Sequence, residues 1–321
     1  MPKQALVSII IPTFNRADLI GETLDSILAQ TYRNWECMVV DDGSKDDTKV
    51  LVDSYNSKDS RIRYYQRPND YSPGGNGARN YGFTASKGDY IQWFDDDDVM
   101  LEHFLEEKIN AFNDATDLVI CSSTKVDSEL VKIEDIDLRI RDNLYKDYVL
   151  WQFKIVTNNV LFKRSFLQNK DLFNSKILRG QESDFFSRLF FNLQNEQFKI
   201  INKPLFLYRQ HASTKTKANE DYVSRYKTSE IYIASEHLKR AVLLNDKELI
   251  QYFYRQLIHF FFRALHHKDI KNAKSALVSV TKTLKPINRR LVVQLQIVGS
   301  VFLLMKRGIY KVEAYFKSYN I

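Results

Sequence analysis

The sequence predicts an α/β protein with a mainly parallel central sheet, followed by a helical C-terminal region. Three observations predict it. Short apolar runs alternate with stretches of helical spacing through the first half. The carboxylate-rich motifs fall just after apolar runs, where strands of such sheets end. After about Asn219 the pattern is helical to the end.

The elements follow in order. Leu6–Ile11 reads as a buried strand, and Asp18–Gln30 as a helix with Leu19, Ile20, Leu24, Ile27 and Leu28 on one face. Trp35–Val40 is a second strand that runs into Asp41-Asp42-Gly43-Ser44. Asp46–Tyr55 is a helix, for which Ser44 is the expected N-cap. Arg61–Gln66 is a strand, Arg67–Gly77 a Pro/Gly/Asn loop, Gly77–Ser86 a helix, Tyr90–Phe94 a strand, Leu101–Asn113 a helix and Asp117–Ser122 a strand. From Lys125 to Asp147 the pattern weakens and charge rises, as in a variable insertion. Thr157–Phe162 and Glu196–Tyr208 are strand-like, with a helix over Glu182–Leu193 between them.

Composition narrows the function classes. The chain has 321 residues, 44% of them hydrophobic, enough for a sizeable core. Cys37 and Cys121 form neither a zinc spacing nor a disulfide framework and fit a reducing cytoplasm. Met1–Thr13 lacks the pattern of a signal peptide. Charge is uneven: residues 201–321 carry 22 Lys+Arg against 8 Asp+Glu, and residues 1–200 carry 25 against 32, nets of +14 and −7. The basic half suits an anionic partner. No nucleic-acid module is present, so an anionic membrane surface ranks above nucleic acid. Leu291–Met305 is an apolar run with Arg289-Arg290 and Lys306-Arg307 at its flanks. It is short for a span, and fits either an interfacial helix or a helix packed on a core or a dimer partner.

The chemistry concentrates in a few motifs. Asp95-Asp96-Asp97-Asp98 follows the apolar strand Tyr90–Phe94. Adjacent carboxylates repel one another, and a divalent cation with oxygen ligands relieves the repulsion. A solvated acidic helix start is the other reading. Asp41 and Asp42 after their strand suit a nucleobase or ribose, or a plain capped turn. Pro12-Thr13-Phe14-Asn15-Arg16 offers a ring to stack on a base and a cation for a phosphate; packing is the bland alternative. Gly74–Asn80 opens a helix, a place where backbone can approach phosphate, although Gly-x-Gly-x-x-Gly and the P-loop are absent. Glu182 and Asp184, two apart on a helix, do not share a face, so one can point into a cleft and act as a general base. His211 ends the last strand, where it can touch a metal or diphosphate or simply face solvent.

In their order and spacing, Val7–Arg16, Val39–Ser44, Gly77–Asn80 and Asp89–Asp98 resemble the family 2 glycosyltransferases of the GT-A fold, from about Leu6 to His211. The resemblance implies a GT-A-like catalytic domain over 1–218, with a nucleotide-binding part at about 1–122 and an acceptor-binding part at about 123–218, and a helical region over 219–321. It implies inverting transfer from a nucleoside diphosphate sugar, most commonly UDP-linked, to a hydroxyl of a glycan or lipid-linked acceptor, as in surface polysaccharide assembly. Pro12, Thr13, Phe14, Asn15, Arg16, Asp41, Asp42, Gly77, Arg79, Asp95 and Asp96 would bind the donor. Asp97 and Asp95 match the family's Asp-x-Asp and, with His211, would hold Mn2+ or Mg2+. The family usually carries Glu-Asp in the acceptor region, whereas this chain has Gln181-Glu182. The departure leaves Glu182 and Asp184 as alternative bases. It also supports the competing reading, a catalytically silent sugar-nucleotide-binding or scaffold protein. The expected setting is cytoplasmic, with peripheral membrane contact through the basic C-terminal helices.

Overall fold

A computed structural model describes residues 5–210 and 222–321. The chain begins with β1 (Val7–Thr13), α1 (Ile20–Leu28), β2 (Trp35–Asp41), α2 (Thr48–Lys58), β3 (Ile62–Gln66), α3 (Gly75–Ala85) and β4 (Tyr90–Trp93). It continues through β5 (Val99–Met100), α4 (Phe104–Asn110), β6 (Leu118–Val126), β7 (Lys132–Asp135), α5 (Leu144–Val149), β8 (Val160–Lys163), α6 (Arg164–Leu167), α7 (Gln181–Phe190) and β9 (Phe198–Arg209). Five helices follow: α8 (Ser224–Leu243), α9 (Lys247–His266), α10 (Ile270–Leu284), α11 (Arg289–Met305) and α12 (Tyr310–Ser318). Two compact units emerge. One runs to Ser175 and resumes from Phe185 through β9; the other takes Lys176–Asp184 and the C-terminal helices.

Among the described residues, all strands join one sheet in the order β3-β2-β1-β4-β8-β6-β9-β5, with β7 on β6. The four strands β3-β2-β1-β4 are parallel, as the alternation predicts. Beyond them the sheet is mixed, because β8 runs antiparallel to both β4 and β6, while β6 and β9 are parallel. β1 and β2 are buried almost throughout, as expected of strands covered on both faces. The core joins Val7, Ile9 and Ile11 to Leu24 and Ile27 of α1, Val52 of α2 and Phe104 of α4.

On the other face α3 comes very close to the sheet. A Cβ at Gly82 would lie 2.3 Å from the Ile10 Cγ2 and 3.3 Å from the Val40 Cγ2, so only glycine permits the approach. Trp93 of β4 anchors a ring cluster, edge-on to Phe162, Phe173 and Phe185 at 5.1–5.7 Å between centroids. Its indole N–H donates to the Arg79 carbonyl at 3.2 Å, which ties α3 to β4.

Several expectations move. Ser44 does not cap α2; the N-cap position is Asp47, without a side-chain bond, and Ser44 turns back to Asp41. The Lys125–Asp147 stretch is ordered as the β6–β7 hairpin and α5. Its turn closes on Asp127, whose Oδ1 accepts from the Glu129 and Val131 amides, each at 2.9 Å. Thr157–Phe162 opens with a 3-10 turn, Thr157–Asn159, before β8 begins. Leu101–Asn113 is helical only over Phe104–Asn110.

In the helical unit Asp246, Asp269 and Asn288 cap α9, α10 and α11 by accepting amide N–H bonds at 3.0–3.1 Å. The aromatic run of α9 is core: Phe253, Tyr254, Phe261 and Phe262 are buried. α11 buries Leu291, Val292, Leu295, Gly299 and Phe302 on one face only. A Cβ at Gly299 would lie 2.6 Å from the Leu277 Cδ2 of α10, so this face is held in close contact. Among the described residues, no helix is long and apolar enough to cross a membrane.

Two predictions follow from this packing. Gly82→Ala forces Ile10 aside and should lower stability by about 1–3 kcal/mol, read from chemical denaturation; wild-type stability would contradict the close approach of α3 to β1. Burial in α8 pulls the His237 imidazole down to about 3, so the fold takes it neutral. Its contribution is present above the unfolded value of about 6.5 and is lost as pH falls below it. Between pH 7 and pH 5 this amounts to about 2 kcal/mol. Asp96, raised to about 7, shifts stability the other way over the same window, so the test is the difference between two proteins. In urea titrations the wild type should lose about 2 kcal/mol relative to His237→Gln between pH 7 and pH 5. Equal pH dependence in the two would mean that His237 is not buried neutral.

Candidate active site

Register brings three strand ends to one edge of the sheet. Thr13 at the end of β1 pairs with Asp41 at the end of β2, and Ile10 pairs with Trp93 at the end of β4. The Asp42 amide donates to the Thr13 carbonyl at 2.9 Å, and the Phe94 amide to Ile10 at 3.0 Å. The motifs 12–16, 41–44 and 95–98 therefore share the carboxyl edge, the usual ligand side of such sheets.

The β1 and β2 loops are stitched together. Asn15, in a left-handed conformation at φ 52°, accepts from the Lys45 amide at 2.8 Å and donates its own amide to Ser44 Oγ at 2.8 Å. The Arg16 amide donates to Thr48 Oγ1 at 3.0 Å. Pro12 is partly buried and Thr13 buried, while Phe14 projects outward at 53% exposure, a ring free for stacking. Asp41 is buried and occupied by the fold. Its Oδ1 accepts from the Gly43 and Ser44 amides and the Ser44 hydroxyl, and its Oδ2 from the Tyr64 hydroxyl at 2.6 Å. That is the work of a turn-forming carboxylate. Asp42 pairs with the Arg67 guanidinium and accepts the Gly74 amide at 2.7 Å. It thereby fixes the start of α3, where Gly74 takes φ 104°. Gly77 is demanded by the same loop, since a Cβ there would lie 1.9 Å from the Ser72 carbonyl oxygen.

The four carboxylates after β4 separate into distinct environments. Asp95 accepts from Arg79 of α3 at 2.7 Å, and its amide donates to Asn158 Oδ1 at 2.9 Å. Asp96 lies 3.5 Å from Arg16 and Asp97 3.8 Å from it. Burial, then the Asp97 charge, pushes Asp96 up to about 7, against the pull of Thr13 and Arg16. Asp98 is wholly buried, and burial with the charges of Asp97 and Asp95 pushes it well above the usual carboxylate range. Its oxygens accept from the Arg209 amide at 2.7 Å and from the Asn158 side-chain amide. Arg209 then closes over the turn: its Nε donates to the Asp97 carbonyl at 2.9 Å, and its Nη2 meets Glu22 of α1. Below Asn158, the buried ammonium of Lys108 donates to the Asn158 carbonyl at 3.0 Å and to Gln92 at 2.8 Å. Burial holds that lysine down at about 8.

Pro12 to Arg16, Asp41, Asp42, Gly77, Arg79 and Asp95 to Asp97 thus converge on one edge. Glu182 and Asp184 stand in the first turn of α7, in the second unit; Asp184 is buried at 3% exposure and Glu182 partly exposed. His211 lies outside the described residues. Arg67, Asn158 and Lys108 carried no mark of these roles in the sequence. Arg209 lies in the segment Tyr208-Arg209-Gln210-His211 that ends the last strand and resembles a Tyr-Arg-x-His segment of the family, but its own contacts were not legible there. A lysine on an amphipathic helix and an asparagine before a strand carry no signal of burial.

The comparisons with known proteins agree with this frame. The chain is 42% identical over 128 residues to an uncharacterized glycosyltransferase of Rickettsia typhi, covering 39% of this chain and 38% of that protein. It is 32% identical over 212 residues to the GalNAc(5)-diNAcBac-PP-undecaprenol beta-1,3-glucosyltransferase of Campylobacter jejuni, covering 65% of each. These matches span less than two thirds of those relatives' own lengths. Among solved structures, S. aureus TarS 1–349 in complex with UDP-GlcNAc superposes with a TM-score of 0.64 at 15% identity, over 95% of this chain and 91% of that one. The mannosyltransferase PcManGT of Pyrobaculum calidifontis, in complex with GDP-Man and Mn2+, gives 0.50 at 18% identity, over 99% and 84%. These two likenesses establish the GT-A-like fold. Residues 8–172, just over half of the sequence, match the model of glycosyl transferase family 2, and the chain belongs to that family.

Proposed function

We propose that the chain transfers a sugar, with inversion, from a nucleoside diphosphate donor to an acceptor hydroxyl. The observation that carries this reading is the carboxylate turn 95–98, held at the strand edge that also presents Phe14 and Arg16. Phe14 stacks on the base. Asp42, rather than the fully occupied Asp41, borders the nucleoside. Arg16, the most loosely paired of the arginines here at 3.5–3.8 Å from its carboxylates, turns to the diphosphate. UDP is the proposed nucleotide, supported by the UDP-GlcNAc complex of TarS.

A divalent cation, Mn2+ or Mg2+, fits these residues. The side chains of Asp95 and Asp97 are 28% and 19% exposed, whereas Asp98 is wholly buried. Asp96 and Asp98 are pushed upward first by burial and then by neighbouring carboxylate charges, and a cation at this turn would offset the second of these. Mn2+ and Mg2+ commonly take one or two protein carboxylates and fill much of the remaining shell with phosphate and water. Asp97 with Asp95 would hold the ion; His211 is a further proposed ligand. Bound there, it supplies positive charge to the diphosphate. The Mn2+ complex of PcManGT supports this choice.

On the acceptor side Glu182 is the proposed base, because Asp184 is too buried to meet a substrate hydroxyl. Glu182 takes the proton as the hydroxyl oxygen attacks the anomeric carbon and the sugar–phosphate bond breaks. Arg16 and Arg79 meet the charge that grows on the departing diphosphate. A lipid-linked glycan is the proposed acceptor class, supported by the undecaprenol-linked substrate in the Campylobacter relative's name. Surface glycan assembly, on the cytoplasmic side, is the proposed setting.

Two measurements test the reading. With Mn2+ and a panel of sugar nucleotides, the wild type should release nucleoside diphosphate in the presence of acceptor and lose that activity with chelator. Asp97→Asn should lower it at least about a hundredfold; near-normal turnover in that variant excludes the metal role, and a wild type silent with every donor favours a scaffold. Glu182→Gln should lower kcat by about 10²–10⁴-fold with donor KM nearly unchanged. A dominant effect on donor KM removes Glu182 from the base role.

A further inference from the structure

Residues 270–312 of the helical unit carry features that the transfer reaction does not use. They hold nine Lys and Arg and no Asp or Glu, and all nine basic residues are exposed. Within this segment α11 packs inward through Leu291, Leu295, Gly299 and Phe302. Its outward side carries Val293, Ile297, Val301 and Leu304, at 47%, 63%, 47% and 84% exposure. These positions recur every three or four residues, so they form one stripe along the helix axis. Exposed basic pairs close the stripe at both ends, Arg289-Arg290 and Lys306-Arg307. Just beyond, Tyr310 is 78% exposed.

We propose that this outer face of α11 docks on an anionic lipid bilayer, with the helix lying in the plane of the headgroups. Length and charge decide the orientation. A helix of 17 residues reaches about 25 Å, less than the roughly 30 Å of a bilayer core. Cationic pairs at both ends sit at one depth only when the axis is parallel to the surface. The apolar stripe then enters the acyl boundary, the flanking cations meet anionic headgroups and Tyr310 suits the interface. A nucleic acid would leave the stripe unused. A second copy seated stripe to stripe would set the flanking pairs Arg289-Arg290 and Lys306-Arg307 against basic pairs of the other copy, like charge facing like charge at both ends of the seam. The surface belongs to α10, α11 and the start of α12, so the proposal holds or fails independently of the transferase reading.

Sedimentation with vesicles tests it on the full chain. The wild type should partition onto phosphatidylcholine vesicles containing phosphatidylglycerol, weakly onto phosphatidylcholine alone, and less as salt rises. Ile297→Asp with Leu304→Asp, and separately Lys306→Gln with Arg307→Gln, should each lower partition at least about tenfold. Thermal unfolding should be unchanged in both, since all four residues are exposed. The proposal is overturned by a wild type that ignores phosphatidylglycerol, or by stripe variants that sediment like the wild type. It is equally overturned if those variants convert a stable dimer to monomer in the absence of vesicles, which would make a second copy the occupant.

Discussion

The organising constraint is the cost of placing four consecutive carboxylates at the end of a buried strand. Water cannot reach Asp98, and Asp96 is nearly enclosed, so their charge must be met from within the protein. Cations come from opposite directions. Arg79 arrives from α3, Arg16 from the loop after β1, and Arg209 from the end of β9, with its guanidinium on the Asp97 carbonyl and on Glu22. Elements distant in sequence are thus fixed around one turn. Asp96 and Asp98 are both pushed upward, first by burial and then by the charges of neighbouring aspartates, against the pull of Arg16 and Arg209. A divalent cation at this turn, as proposed for the donor site, would relieve the repulsion among the crowded carboxylates.

Asn158 does what no charge could do in that position. Its Oδ1 accepts the Asp95 amide, its Nδ2 donates to Asp98, and its carbonyl takes the Lys108 ammonium. One residue, through its side-chain amide and its backbone carbonyl, thereby links a buried acid to a buried base without direct contact. The opposite shifts of the two groups, Asp98 up and Lys108 down, have the same leading cause, loss of water. A network of this kind is strong only when every member is satisfied, so the 3-10 turn that carries Asn158 is tied to the carboxylates as firmly as β4 is.

The sequence was most legible where pattern and structure share a period. The runs at Val7–Thr13 and Trp35–Asp41 could be read as buried strands because both faces are covered, and their polar tails fall at one edge because parallel strands end together. It was less legible where long-range partners decide. Asp41 and Asp42 look alike as neighbours. Yet Asp41 closes its own turn and meets Tyr64, while Asp42 reaches Arg67 and Gly74, and only the fold distinguishes them. Ser44 had every local mark of a helix cap and was drawn instead to Asp41. Gly77 stood out as a ligand-binding glycine, while its tightest demand is steric, from the Ser72 carbonyl. The antiparallel β8 had no signal, because an apolar run does not carry its direction.

α11 shows the same limit in another form. An apolar run that is hydrophobic all round fits a core helix and an interfacial helix equally well, and periodicity alone cannot separate them. The fold separates them by occupying one face: Gly299 lets Leu277 approach so closely that the packed side is unambiguous. What remains outward is then fixed by geometry, as the aliphatic residues between the two basic pairs. Burying all of α11 would strand those cations in a low-dielectric interior, and exposing all of it would waste its leucines. The proposed docking, with one face of the helix on protein and the other on lipid, would satisfy both demands and join the charge flanks and the half-buried helix in a single explanation.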